Sequence, residues 1–156
     1  MLVGIYMPQG PAREQPPRAV DQLETEFFRR ALGALGRISP DTRFVWFSET
    51  DMQPPCDNVS VCGVSRRASL LNPWRNKTPT LEQALQQQRV EVLLTTIDAP
   101  PVRTTAPAVL FTLDMTFRDD NESAAVSKSL KRACGEARTI LCPSVYVHKS
   151  CAAQFE

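Results

Sequence analysis

AVLFTLDMTFRDDNESAAVSKSLKRACGEARTILCPSVYVHKSCAAQF, residues 108–155, decides the fold class. Its opening run, AVLFTLDMTF, is apolar along most of its length and lies between Pro107 and Arg118-Asp119-Asp120, the pattern of a strand covered on both faces. After a polar bend, SAAVSKSLKRACGEA sets Val126, Leu130, Ala133, Cys134 and Ala137 at helical spacing, with Lys128, Lys131 and Arg132 off that stripe. Thr139–Cys142 then predicts a second strand, and Ser144 is a good N-cap for a last helix, Val145–Phe155. Strand, helix, strand, helix is the repeating unit of a parallel sheet with helices packed against it.

The upstream chain repeats the unit. Leu2–Met7 is rich in strand formers, and PQGPAREQPPR after it must be loop, because its prolines remove donors and fix the backbone. From Ala19 to Leu35, Val20, Leu23, Phe27, Phe28, Ala31, Leu32 and Leu35 fall on one helical stripe, with Phe27 and Phe28 read as core anchors and with Gly36 and Pro40 as the stop. FVWFSE, Phe44–Glu49, predicts a second strand and NVSVCGVS a shorter third, with a crossover between them that needs no helix. Residues 66–77 are irregular and basic around Trp74, which reads as docked on the domain's own edge. Thr78-Pro79-Thr80 opens a short, largely exposed helix carrying Leu81, Ala84 and Leu85, and Val90–Ile97 is a strand that runs into Asp98-Ala99-Pro100-Pro101.

Composition narrows the class of function. Eighteen basic and seventeen acidic residues leave a net charge of +1, and the short pairs Arg29-Arg30, Arg66-Arg67 and Lys131-Arg132 make no basic block, so nucleic acid is not an expected partner. At 156 residues the chain has the length of one domain, residues 1–156. MLVGIYMPQG is too short to span a membrane and lacks the pattern of a signal peptide, so the expected setting is cytoplasmic with no integral membrane segment. Cys56, Cys62, Cys134, Cys142 and Cys151 contain no CxxC spacing and are odd in number; neither a zinc site nor a disulfide framework is expected, and Cys142 reads as the buried structural thiol.

Candidate site residues follow from one rule: in open parallel sheets, ligands collect at the carboxyl ends of the strands. Asp114 interrupts the apolar run near its end, and Thr96 and Asp98 close the preceding strand. Gln9 and Gly10 lie in the loop after the first strand, where glycine lets the backbone approach a ligand. Ser144 opens the last helix, where it caps and where exposed N–H groups can also receive a polyhydroxyl ligand. A divalent metal on Asp114, Asp119 and Asp120 is the less simple reading beside helix capping, and no metal is assigned. No GxGxxG or phosphate cradle is present and no cofactor is assigned, which disfavours a flavodoxin-like binder. His148, the single histidine, has no Cys or carboxylate near it at ligand spacing.

The tail, VLFTLDMTF followed by KSLKRACGEARTILCPSVYVHKSCAAQF, resembles the closing part of the N-terminal Rossmann-like domain of family-4 GT-B glycosyltransferases. The likeness covers roughly the last fifty residues well and the rest by element order. In it, Asp114 matches the family's strand-end acid, and Ser144 with Tyr146 matches the serine and aromatic that begin the following helix. Leu113 stands where the family commonly has histidine, which bears on any catalytic or acceptor-positioning role of that histidine.

The resemblance implies the acceptor-binding half of a retaining, two-domain enzyme that moves a sugar from a nucleotide-sugar donor to an acceptor. A sugar or glycan acceptor is then the implied ligand, and a donor-binding domain, in the same or a partner chain, the implied partner. Asp114 would be catalytic, with Gln9, Gly10, Thr96, Asp98, Ser144 and Tyr146 binding substrate. A lipid-linked acceptor would bring the protein to a membrane surface. The chain, which ends at Glu156 before any donor domain, is expected to be inactive alone. The rival expectation is a degenerate, non-catalytic α/β module that binds a partner protein. Either way the predicted fold is a mostly parallel, Rossmann-like sheet of about six strands with helices on both faces.

Overall fold

The computed structural model describes residues 1–7, 19–65, 78–96, 102–111 and 132–155. Six strands, β1 (Leu2–Tyr6), β2 (Arg43–Ser48), β3 (Val59–Gly63), β4 (Val92–Thr96), β5 (Ala108–Phe111) and β6 (Thr139–Leu141), form one sheet in the order β3-β2-β1-β4-β5-β6. Every pairing is parallel, so the predicted α/β, Rossmann-like architecture holds. Three helices are described in full, α1 (Ala19–Ile38), α2 (Leu81–Gln88) and α3 (Val145–Phe155), together with helical residues 132–136. From β1 the chain winds outward through β2 and β3, then returns to place β4 on the other side of β1 and winds outward again. The order therefore reverses between β1 and β4.

Strand alternation divides the core between the two faces. Val3, Ile5, Phe44, Trp46 and Val59 point to one face and pack with Leu32 of α1. Tyr6, Val45, Phe47 and Leu93 point to the other, under Leu81, Ala84 and Leu85 of α2. Leu110, in register with Thr95, lies on the α2 face and meets Val147 and Cys151 of α3. Ile5 and Phe47 are fully buried, and each such side chain contributes about 1.5–3 kcal/mol of hydrophobic stabilisation. Gly4 is required where β1 passes under Val90: an added Cβ would lie 2.8 Å from a Val90 methyl carbon.

The connections explain where the sequence reading needs adjustment. Residues 49–58 join β2 to β3 without a helix, as the spacing predicts. Helix α1 runs through Gly36 to Ile38 instead of stopping there, because this glycine serves close packing and not termination: an added Cβ would lie 2.5 Å from Cys56 Sγ. Phe28 is buried, but Phe27 is 46 % exposed and anchors nothing at the centre of the core. It stacks on Phe111 of β5 at a centroid distance of 6.0 Å, while Phe28 meets the same ring edge-on at 4.9 Å. Leu35 is also exposed. The short helix α2 buries Leu81, Ala84 and Leu85 and exposes its other residues, as its sequence predicts. Cys142 lies just beyond β6 and is half-buried; the buried thiol of this region is Cys151.

At the amino-terminal rim the strands are tied by polar groups. The Asn58 amide nitrogen lies 3.2 Å from the Gly36 carbonyl, 3.4 Å from that of Ser39 and 3.1 Å from that of Thr42. The Leu2 N–H donates to Glu91 Oε1 at 2.8 Å. This rim is cross-braced, which leaves the opposite, carboxyl-terminal rim as the place where groups converge for other purposes. No helix among the described residues is long and apolar enough to cross a membrane.

Candidate functional site

The strand order reverses between β1 and β4, and in open parallel sheets the carboxyl ends of the strands at such a reversal are where ligands collect. Tyr6 ends β1 there. Its ring is buried among Phe47, Leu93 and Leu81, and its hydroxyl donates to Glu49 Oε1 at 2.8 Å. Parallel registry sets Tyr6 beside Phe47, and alternation brings Glu49, two residues on, back to the same face. The Tyr6 carbonyl accepts from the Thr95 hydroxyl at 2.7 Å in a buried bond.

Beside this pair the chain leaving β2 turns on itself. Ser48 Oγ donates to the Thr50 carbonyl at 2.8 Å and accepts from the Thr50 N–H at 3.2 Å, while the Ser48 carbonyl accepts from the Val64 N–H at 2.8 Å. The turn holds Glu49 at this rim, half-buried. The amino end of α2 reaches the same rim through Ser65, whose N–H donates to the Pro79 carbonyl at 2.9 Å. That helix end is closed by its own residues: Gln83 N–H donates to Thr80 Oγ1, and Thr80 N–H to Gln83 Oε1.

Thr96, the last residue of β4, is half-buried and in register with Phe111, so its side chain takes the α1 face while Tyr6 and Thr95 take the α2 face. Ser144 and Tyr146 lie farther along the rim, about 14 Å from β1 at the usual strand spacing. Ser144 Oγ accepts from the Val147 N–H at 3.2 Å and its carbonyl from the His148 N–H at 3.0 Å, the geometry of an N-cap. Tyr146 and His148 project into solvent. Of the residues the sequence predicts, Thr96 ends β4 at this rim on the α1 face, and Ser144 with Tyr146 follows β6, two strands farther along. Gln9, Gly10, Asp98 and Asp114 lie outside the described residues, as do Asp119 and Asp120.

No protein-family model matches the chain, and comparison with curated proteins and with solved structures finds no match.

The chemistry of the rim is read from its groups alone. The half-buried Glu49 carboxyl group, which accepts from the Tyr6 phenol, presents acceptors at this rim, while the buried Thr95 hydroxyl has its proton committed to the Tyr6 carbonyl. Such a set suits a neutral ligand bearing hydroxyl groups, whereas the acidic Glu49 repels phosphate. Burial pushes the Cys62 thiol up, so this residue near the end of β3 is no activated nucleophile. No cluster of His, Cys, Asp or Glu among the described residues is arranged to hold a metal ion.

Tyr6, Thr95 and Glu49 were missed by sequence reasoning. For Glu49 the signal was present, since it is an acid at a strand's carboxyl end, like Asp98 and Asp114. FVWFSE counts it inside the strand and hides that position. Tyr6 carries no comparable signal, because a tyrosine ending an apolar run reads as core.

Proposed function

We propose that the chain is the acceptor-side domain of a glycosyltransferase, binding a sugar or glycan at the carboxyl rim of the sheet while a second domain supplies the nucleotide-sugar. The observation that carries this reading is the Tyr6–Glu49 pair at the carboxyl rim, beside the point where the strand order reverses between β1 and β4. A carboxylate oriented by a phenol accepts hydrogen bonds from sugar hydroxyls, and that geometry discriminates hydroxyl-bearing ligands from apolar ones. The resemblance of the tail to family-4 GT-B enzymes supports the same reading and gives Asp114, Ser144 and Tyr146 to the acceptor side, where Gln9, Gly10, Thr96 and Asp98 would join them by their positions at the strand ends. The described residues supply no nucleophile–base pair, so the donor domain must bring the groups that bind the diphosphate and complete transfer.

The test is to combine this chain with a nucleotide-sugar-binding domain encoded in the same or a neighbouring gene and follow turnover of the nucleotide-sugar. Turnover that needs both parts, and that falls in Asp114→Ala with little change in thermal stability, supports the reading. A pair that never turns over any nucleotide-sugar overturns it.

A second reading, a non-catalytic module that binds a partner protein, is favoured by one observation. Leu141, Val145 and Tyr146 are 45, 71 and 66 % exposed where β6 hands over to α3. Leu113 in the family's histidine position agrees with it. A partner that binds in the absence of any nucleotide-sugar, and whose binding is lost in Tyr146→Ala, distinguishes this reading from the first.

A further inference from the structure

Cysteines from three successive elements meet under the last helix. Val147 and Cys151 are one helical turn apart on α3 and both are buried against Leu110. Cys142, at the exit of β6, and Cys134, in helical residues 132–136, pack against the same cluster. The Cys142 thiol is a direct neighbour of Cys151: burial first, and then the charge and hydrogen bonding of Cys142, push the Cys151 thiol up. All five cysteines are thiols, so the neighbours stand in the reduced state.

We infer that Cys142 and Cys151 are a reversible dithiol pair that closes to a disulfide when a hydroperoxide oxidises it, tying the exit of β6 to the second turn of α3. The roles follow from exposure. Cys142 is half-buried and meets the oxidant; Cys151 is buried and waits beside it. Cys142, as thiolate, attacks the terminal oxygen of the hydroperoxide; the O–O bond breaks, the alcohol leaves with a proton, and sulfur becomes a sulfenic acid. Cys151 then attacks that sulfur, the S–O bond breaks and water leaves with the second proton. Two thiols have lost two electrons, and one hydroperoxide has become an alcohol and water. Burial shields the Cys151 thiol from the oxidant during the first step, and Cys151 gives up its proton as it attacks in the second. The bridge would fix the junction that carries Ser144 and Tyr146, yet the inference stands apart from the glycosyl-transfer reading and uses none of the residues at the β1–β4 rim.

The experiment is peptide mapping of the full chain after hydrogen peroxide treatment under native conditions, with remaining thiols alkylated before digestion. The expected result is one dominant cross-linked peptide pair joining Cys142 to Cys151, lost on treatment with a thiol reductant, retained in Cys134→Ser and abolished in Cys142→Ser. The oxidised chain is also expected to unfold at a higher temperature than the reduced chain, as a short closed loop restricts the unfolded state. Cys142 carried on to sulfinic acid while Cys151 is recovered alkylated overturns the inference, and so does a dominant bridge from Cys134. Because the mapping is done on the unsubstituted chain, a poorly folded variant does not decide the outcome.

Discussion

The Thr95 hydroxyl donates to the Tyr6 carbonyl at 2.7 Å in a buried bond that joins the last turns of β1 and β4 where the strand order reverses. It adds a side-chain bond to the backbone ladder that already pairs Tyr6 with Thr95. Thr95→Val preserves shape and removes the donor. The expected cost is about 1–2 kcal/mol, the range for losing a buried hydrogen bond of this kind. Urea denaturation measures it, and an unchanged midpoint would show that the bond does not hold the strand ends.

Tyr6→Phe separates packing from polarity at the same place. The ring is 3 % exposed and stays in the core, while the bond to Glu49 disappears. Stability is expected to fall by at most about 1.5 kcal/mol. Affinity for a hydroxyl-bearing ligand is expected to fall about tenfold, since the carboxyl group loses a bond that orients it for binding. Calorimetric titration against the parent chain checks both the size and the direction.

Two glycines of α1, three residues apart, are expected to respond with opposite sign. At Gly33 an added Cβ meets only Arg37 Nη1 at 3.9 Å and the Pro55 carbonyl at 4.0 Å, so Gly33→Ala gains about 0.5–1 kcal/mol from helix propensity. At Gly36 the same group runs into Asn58 and Cys56. Asn58 is held by the carbonyls of Gly36, Ser39 and Thr42 and cannot swing aside cheaply, so Gly36→Ala loses about 1–3 kcal/mol. Neither glycine has a positive φ, which leaves space as the deciding quantity. Thermal melting of the two variants side by side is the check.

Alkaline pH is expected to weaken the fold through its buried thiols. Burial pushes Cys62 up, and burial with the Cys142 neighbour does the same to Cys151. In the folded chain both keep their protons at a pH where the unfolded chain has begun to lose them. Their contribution is therefore complete below the ordinary thiol range of about 8.5 and is lost as pH rises through the folded values. Urea midpoints taken from neutral to alkaline pH should decline, and Cys62→Ala should flatten that decline. An identical slope in the variant would remove Cys62 from the explanation.

The order of the described elements was legible because strands and helices differ in apolar period. The side-by-side order of strands was not, since it depends on which way each crossover turns. Phe27 and Phe28 show the limit of a stripe: both fit it, yet only Phe28 points inward, and Phe27 spends its area covering Phe111 at the sheet's flank. Cys142 looked buried because the apolar letters run through it, but β6 ends at Leu141 and leaves it in the bend. Cys151 was legible in principle, four residues after Val147 on the same helical face. At the carboxyl rim, Thr96 came from position alone. The pairing of Tyr6 with Glu49 needed the registry of β1 against β2, which no local pattern in either strand encodes.

The proposed acceptor site lies at the carboxyl rim, beside the β1–β4 reversal, and takes a hydroxyl-bearing ligand. The most direct measurement is a titration of the isotope-labelled chain with a panel of neutral mono- and oligosaccharides, following the backbone amides. Saturable shifts centred on Tyr6, Glu49, Thr50 and Thr96 are expected for at least one sugar, abolished in Glu49→Ala while that variant keeps the parent's dispersed spectrum. Shifts centred instead on the braced rim around Met1, Asn58 and Glu91, or no saturable shift with any sugar of the panel, would contradict the proposed site.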